Sequence, residues 1–218
     1  MGRNRWAGMT VAIIASGPSL TQADCDLIEA AGIPTIAVNH SWKMARFADA
    51  VYAGDACWWD AYGHEVDIPA EKWTCSRQAA ARHGIKHHVA YGSYNSGMRA
   101  IQLAIDLGAA RIILLGFDCS LANGLHWHGA HDRTQNPDEA KVKKWHGQFR
   151  AVAALAKLRR CEVINCSRYT ELNCFPRRDL GSLMERNGDR IHDDGRSVLR
   201  VDGQGLRQET ELQAVLGA

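Results

Sequence analysis

Two rhythms of apolar residues alternate along this chain. Short unbroken runs rich in β-branched residues, Thr10 to Ala15 (TVAIIA), Pro34 to Val38 (PTIAV) and Arg111 to Leu115 (RIILL), predict strands buried on both faces. Between them lie segments with helical spacing and helical punctuation. Thr21 caps a segment carrying Leu27 and Ile28 that Gly32 ends, and Asn95 or Ser96 caps one carrying Met98, Ile101, Leu103, Ala104 and Leu107 that Gly108 ends. The first of these closes a β-α-β unit, so its two strands are expected to be parallel with a right-handed crossover.

The same alternation predicts a short helix at Ser41 to Phe47, a strand at Asp49 to Ala53 and a helix opening near Asp55. Weaker strands follow at Lys72 to Cys75 and Lys86 to Ala90, with a helix from Ser76 to His83 between them. Pro137 and Asp138 open a long helix reaching about Leu158, and Glu162 to Asn165 is the last strand. The expected fold is α/β, a doubly wound, Rossmann-like and mainly parallel sheet of about seven strands. Beyond Asp179 the pattern dissolves into Gly, Asp and Arg, with a short hairpin near Ser197 to Leu206 and a weak helix near Glu209 to Leu216. Residues 1–180 therefore read as one Rossmann-like domain and 181–218 as an irregular appendage.

Composition narrows the classes of partner. The 26 Lys and Arg nearly cancel the 24 Asp and Glu, so no overall field draws the protein to nucleic acid or to an anionic membrane. Arg159, Arg160, Arg177 and Arg178 fall near one another in the C-terminal third and read either as a local basic patch or, more plainly, as a solvated basic surface. The seven cysteines are scattered and contain no CxxC pair, which argues against a disulfide framework and a thiolate zinc site and for reduced thiols in the cytoplasm. The segment Met1 to Gly8 leads directly into the first strand, so neither a signal peptide nor a membrane span is expected.

In an open parallel sheet, ligands bind outside the carboxyl ends of the strands, and here those positions are small and polar. After the first strand comes Ser16-Gly17-Pro18-Ser19, where Gly17 lets the backbone approach a ligand and the following helix aims its N-terminus at a phosphate; a tight structural turn is the alternative reading. The loop lacks the GxGxxG and GxxxxGK[ST] spacings, and the second strand ends in Asn39 where a dinucleotide enzyme carries an acid, so NAD and P-loop chemistry are not expected. Asn39 suits a base or ribose edge, Asp55 either caps a helix or holds a cation, and Ser96-Gly97 opens another helix as an anion site or a plain cap. Gly116 and Asp118 leave the sixth strand. The densest cluster, His126, His128 and His131 with Asp132, offers a general base, a metal site or a polar lid; its spacing matches no standard zinc motif, so no tightly bound metal is expected.

Taken together, VAIIASGPSL, VNHSW, YNSGMRAIQLAIDLGAARIILLGFD and CEVINCSRYTELNCF resemble bacterial lipooligosaccharide sialyltransferases and, equally, the archaeal 6-hydroxymethylpterin diphosphokinase-like family and phage or prophage proteins with the same landmarks. The resemblance covers roughly residues 10 to 180. It implies that Gly17, Pro18, Ser19 and Asn39 contact a nucleotide and that Ser96 and Gly97 touch the donor. It also implies that a histidine of the loop before the long helix is the base, with His126 in the best place and His128 and His131 as competitors. The sialyltransferase likeness implies no metal. The diphosphokinase likeness implies magnesium with ATP, facing Asp55 and Asp118. The favoured expectation is glycosyl transfer from a small-molecule nucleotide donor to an acceptor hydroxyl, in the cytoplasm, or in that of the host if the chain is phage-encoded. The rivals are magnesium-dependent pyrophosphoryl transfer and a non-catalytic nucleotide-binding phage component.

Overall fold

The structure, a computed structural model, describes residues 5–92 and 94–190. Its elements in chain order are β1 (Thr10–Ile14), α1 (Gln22–Ala30), β2 (Thr35–Val38), β3 (Ala50–Tyr52), α2 (Ala56–Tyr62), β4 (Glu71–Thr74), α3 (Arg77–His83) and β5 (Lys86–His87). Then follow α4 (Ser96–Asp106), β6 (Arg111–Leu115), α5 (Glu139–Leu158), β7 (Glu162–Asn165) and α6 (Leu180–Arg190). The seven strands form one sheet in the order β5-β4-β3-β2-β1-β6-β7, and every pair is parallel. The chain lays strands outward from β1 to one edge, then crosses back to place β6 on the other side of β1. The topological switch point is therefore between β1 and β6.

Alternation along each strand explains why both faces are covered. Val11 and Ile13 of β1, Ile36 of β2, and Ile112 and Leu114 of β6 join the apolar cluster that holds α4 and α5. Ala12, Ile14, Ala37, Ile113 and Leu115 point the opposite way, into the cluster that holds α1, α2 and α3. Val11 to Ile14 are all fully buried, as expected for a strand with helices on both sides. Helix ends follow local chemistry. Thr21 and Asp24 form a reciprocal capping box on α1, Ser76 caps α3, and Asn95 caps α4 by accepting from the Met98 N–H at 2.9 Å.

Three expectations needed correction. The helix expected at Ser41 to Phe47 is a 3-10 turn over Asn39–Lys43, because Asn39 adopts the left-handed region (φ 52) and redirects the chain as it leaves β2. Strand β5 is only Lys86–His87: the next side chain, His88, is buried between the Tyr52 hydroxyl at 3.1 Å and Asp106 at 3.2 Å, and the chain turns away there. The segment after Asp179 is not irregular at its start, since α6 begins at Leu180 and packs Leu180, Leu183 and Met184 on the α1 side of the sheet. The hairpin and helix expected near 197–206 and 209–216 lie outside the described residues. Among the described residues no helix is long and apolar enough to cross a membrane.

Leu180 is 5% exposed, so Leu180→Ala is expected to lower stability by about 2–5 kcal/mol, the range for emptying a core leucine site. Urea denaturation followed by circular dichroism checks this, and a change near zero would mean that α6 is not part of the folded unit.

Candidate functional site

The loops leaving β1 and β6 are fastened to each other. The Gly17 N–H donates to the Gly116 carbonyl at 2.9 Å, the Ser19 N–H donates to Asp118 Oδ2 at 2.8 Å, and the Ser19 hydroxyl donates to Asp118 Oδ1. A Cβ on Gly17 would lie 2.4 Å from Asp118 Oδ1 and 2.5 Å from the Gly116 carbonyl. Gly116 has φ 67, and a Cβ there would lie 2.4 Å from the Ala15 carbonyl. Gly17 is thus needed for the approach of the protein's own chain, where close approach of a ligand was expected. Both oxygens of Asp118 are engaged by Ser19, so Asp118 braces the loop as well as lining the cavity above it. Burial pushes the Asp118 carboxyl up, and the two Ser19 donors pull it back.

Above this brace, at the carboxyl ends of the strands, lies a cavity of about 540 Å³. Ser16, Gly17, Pro18, Gly116 and Asp118 line its floor, whereas Ser19 does not reach it and is buried on Asp118. Asn39 lines it from the end of β2, and its Oδ1 is buried without a hydrogen-bond partner among the described residues. Asp55 stands at the N-cap position of α2 but makes no capping bond, and it faces the cavity. The N-terminus of α4 forms another wall. There Ser96 Oγ accepts from the Gly54 N–H at 2.9 Å, which ties α4 to the end of β3, and Gly97 leaves room for the Phe117 ring, 3.0 Å from where a Cβ would be.

Two groups of residues were missed in the sequence. Lys141, Lys144, Trp145 and Gln148 of α5 line the cavity, and their spacing of three, four and seven residues is that of one helical face, a signal the sequence does contain. The other is His40, from the 3-10 turn after β2. Its ring lies with centroids 4.8 Å from His128 and 5.0 Å from His131, and His126 lies 5.1 Å from His128 and 4.6 Å from His131. The fold brings four imidazoles together where the sequence offered three.

The β6–α5 loop carrying these rings is pinned at both ends of the cluster. The Trp127 N–H donates to the Ser16 carbonyl at 3.0 Å, and Asn136 both accepts from the His131 N–H at 2.8 Å and donates to the His131 carbonyl at 3.0 Å. Asp132 accepts from the Tyr62 hydroxyl at 2.7 Å. Burial, then mutual repulsion among the rings, pulls His40 down to about 3 and His126 and His128 down to about 4; burial also lowers His131, against the pull of Asp132. His40, His126 and His128 are therefore held neutral at pH 7, and burial shifts His131 in the same direction. Of the three expected bases, His126 and His131 line the large cavity, while His128 faces a smaller one of about 250 Å³ with His40, Lys43, Tyr62 and Glu65.

Gly17→Ala is expected to lower the stability of the ligand-free protein by about 1–3 kcal/mol, because the methyl group is forced against Asp118 and Gly116. A thermal melt without any nucleotide checks it; an unchanged melt would return Gly17 to the role of clearing space for a ligand. No protein-family model matches this chain, and no curated protein matches it.

Proposed function

We propose that the protein is a transferase that binds a nucleotide-activated donor in the strand-end cavity and uses His126 to take the proton from an acceptor hydroxyl. The observation that carries this reading is His126 itself. Its ring lines the cavity at the switch point, is neutral, and holds a buried Nε2 with no partner among the described residues. A base needs a lone pair free of other partners; a neutral ring supplies one, and because this Nε2 is covered, the ring turns to present it to the acceptor.

The remaining walls divide between the parts of a nucleotide. Asn39 offers its Oδ1, which has no partner among the described residues, to an amino or hydroxyl group of the base or ribose. The N-terminus of α4 and the ammonium groups of Lys141 and Lys144 suit the phosphates, through the helix dipole and direct charge. In glycosyl transfer the acceptor oxygen bonds to the anomeric carbon as the carbon–oxygen bond to phosphate breaks. The nucleotide leaves with the electron pair, and the acceptor proton passes to His126 Nε2. A lowered pKa keeps the ring ready to accept at the expense of basicity, so transfer falls late, when the attacking oxygen has become acidic; donor phosphates in the same cavity raise the ring toward working pH.

Glycosyl transfer is preferred to magnesium-dependent pyrophosphoryl transfer because Asp118, one of the two carboxylates that the latter would recruit, is already held through both oxygens by Ser19.

A thermal-shift panel of CMP, CDP, UDP, GDP and ATP, each with and without magnesium, tests donor binding. A true ligand at one hundred times its Kd adds about 2.7 kcal/mol, or roughly 5–10 °C. With the donor identified and an acceptor found by mass-detected screening, His126→Ala is expected to lower turnover by about 100-fold to 10,000-fold with little change in nucleotide affinity. A shift with ATP and magnesium alone would favour the diphosphokinase reading. No shift with any nucleotide, or an unaffected His126→Ala enzyme, would refute the proposal.

A further inference from the structure

We propose that His40, His128 and His131 form a binding site for a divalent transition-metal ion, with zinc as the occupant. One ring nitrogen from each residue lies within 4.8 Å of the others. The three rings come from two separate elements, the turn after β2 and the β6–α5 loop, and every pair has centroids between 4.8 and 5.0 Å apart. A tetrahedral zinc ion with nitrogen ligands at about 2.0–2.1 Å holds them about 3.3 Å from one another, so the rings close in by at most about 1.5 Å, a matter of small side-chain rotations.

An independent observation points to a ligand. Nε2 of His128 is buried and, among the described residues, has no hydrogen-bond partner, and Nε2 of the stacked neighbour His126 is in the same state. Buried polar nitrogens are rarely left unpaired, and the one on His128, a member of the ligand set, is what a cation relieves. His40 gives up little to join, since its Nδ1 accepts only a long bond of 3.4 Å from the Trp58 indole N–H, which yields as the ring turns to present a lone pair.

Donor chemistry selects the ion. Imidazoles alone suit zinc and its neighbours in the transition series, whereas magnesium asks for oxygen ligands. The two carboxylates of the smaller cavity are committed elsewhere: Glu65 pairs with Lys43 at 3.2 Å and Arg133 at 3.0 Å, and Asp132 accepts from Tyr62 at 2.7 Å. Three protein ligands leave a fourth position for water or a substrate oxygen, the arrangement of catalytic zinc sites. His131 lines both cavities, so the ion stands beside the donor cavity with His126 next to it. The expectation of no tightly bound metal rested on the lack of a recognised spacing among Asp118, His126, His128 and His131, a set that did not include His40.

The test uses the full chain, purified without a histidine tag, stripped with chelator, loaded with zinc or cobalt(II) and desalted, in the absence of nucleotide. One equivalent of zinc per chain is expected, and cobalt should give the intense visible bands of a tetrahedral site without a thiolate charge-transfer band. His40→Ala and His128→Ala should each lose the stoichiometric zinc while keeping the circular dichroism of the parent, and Cys57→Ser, at an exposed thiol, should retain it. Substoichiometric zinc in the parent, weak octahedral cobalt bands, a thiolate band, or zinc retained by both histidine variants would each overturn the proposal. The cobalt spectrum of the parent decides the matter even if a variant fails to fold. Zinc retained with no nucleotide shift would sink the transferase reading and leave this site standing; the reverse result would do the opposite.

Discussion

The contact between Asp118 and Ser19 is the constraint on which the site depends. In a parallel sheet whose strand order reverses, the chains leaving the two strands at the reversal diverge, and a crevice opens between them. Here that crevice is given a fixed floor. One carboxylate collects a backbone N–H and a hydroxyl from the loop after β1, and Gly17 and Gly116 allow the two backbones to lie against each other without side chains between them. The Ser16 carbonyl, held in place by this floor, is also what the Trp127 N–H grips, so the histidine loop is referenced to the same point.

The two faces of the sheet contribute different chemistry. Helices α4 and α5 lie on one face and supply the helix N-terminus and the lysines, the groups suited to phosphate. The other face, through the turn after β2 and the aromatic side chains of α2, supplies His40 and its packing against Trp58 and Tyr62. The β6–α5 loop passes over the strand ends and joins the two, with His126 and His131 at the large cavity and His128 and His131 at the small one. The groups suited to an anion and the imidazoles are therefore supplied from opposite layers and, among the described residues, are joined by that loop.

Much of the fold was legible because its signals are local. Fully buried strands read as unbroken apolar runs, and the caps at Thr21, Ser76 and Asn95 and the stops at Gly32 and Gly108 depend on residues within one turn. The strand-end positions of Ser16, Asn39, Asp55 and Ser96 could be read from the same pattern. What stayed hidden depends on contacts distant in sequence. That Asp118 is spent on Ser19 follows from strand order, which local periodicity does not encode. His40 sits next to Asn39 in VNHSW, yet its meeting with a loop almost ninety residues later requires β2 and β6 to flank β1. Helix α6 was missed because its stripe is short, Leu180, Leu183 and Met184, and is set among polar residues.

The same strand order decides when the site can form as the chain folds. Strand β1 pairs with β2 at Ala12 and Thr35 but with β6 at Thr10 and Arg111, a loop about four times longer. Closing it costs about 1.2 kcal/mol more chain entropy, two doublings of loop length, and it waits until α4 has crossed the sheet. On a growing polypeptide the β1–β5 wing can assemble early, with the β6 edge of β1 still open. Until β6 arrives, that edge of β1 offers its bare backbone to any other strand, so the middle of the finished sheet is the most sticky part of the unfinished one.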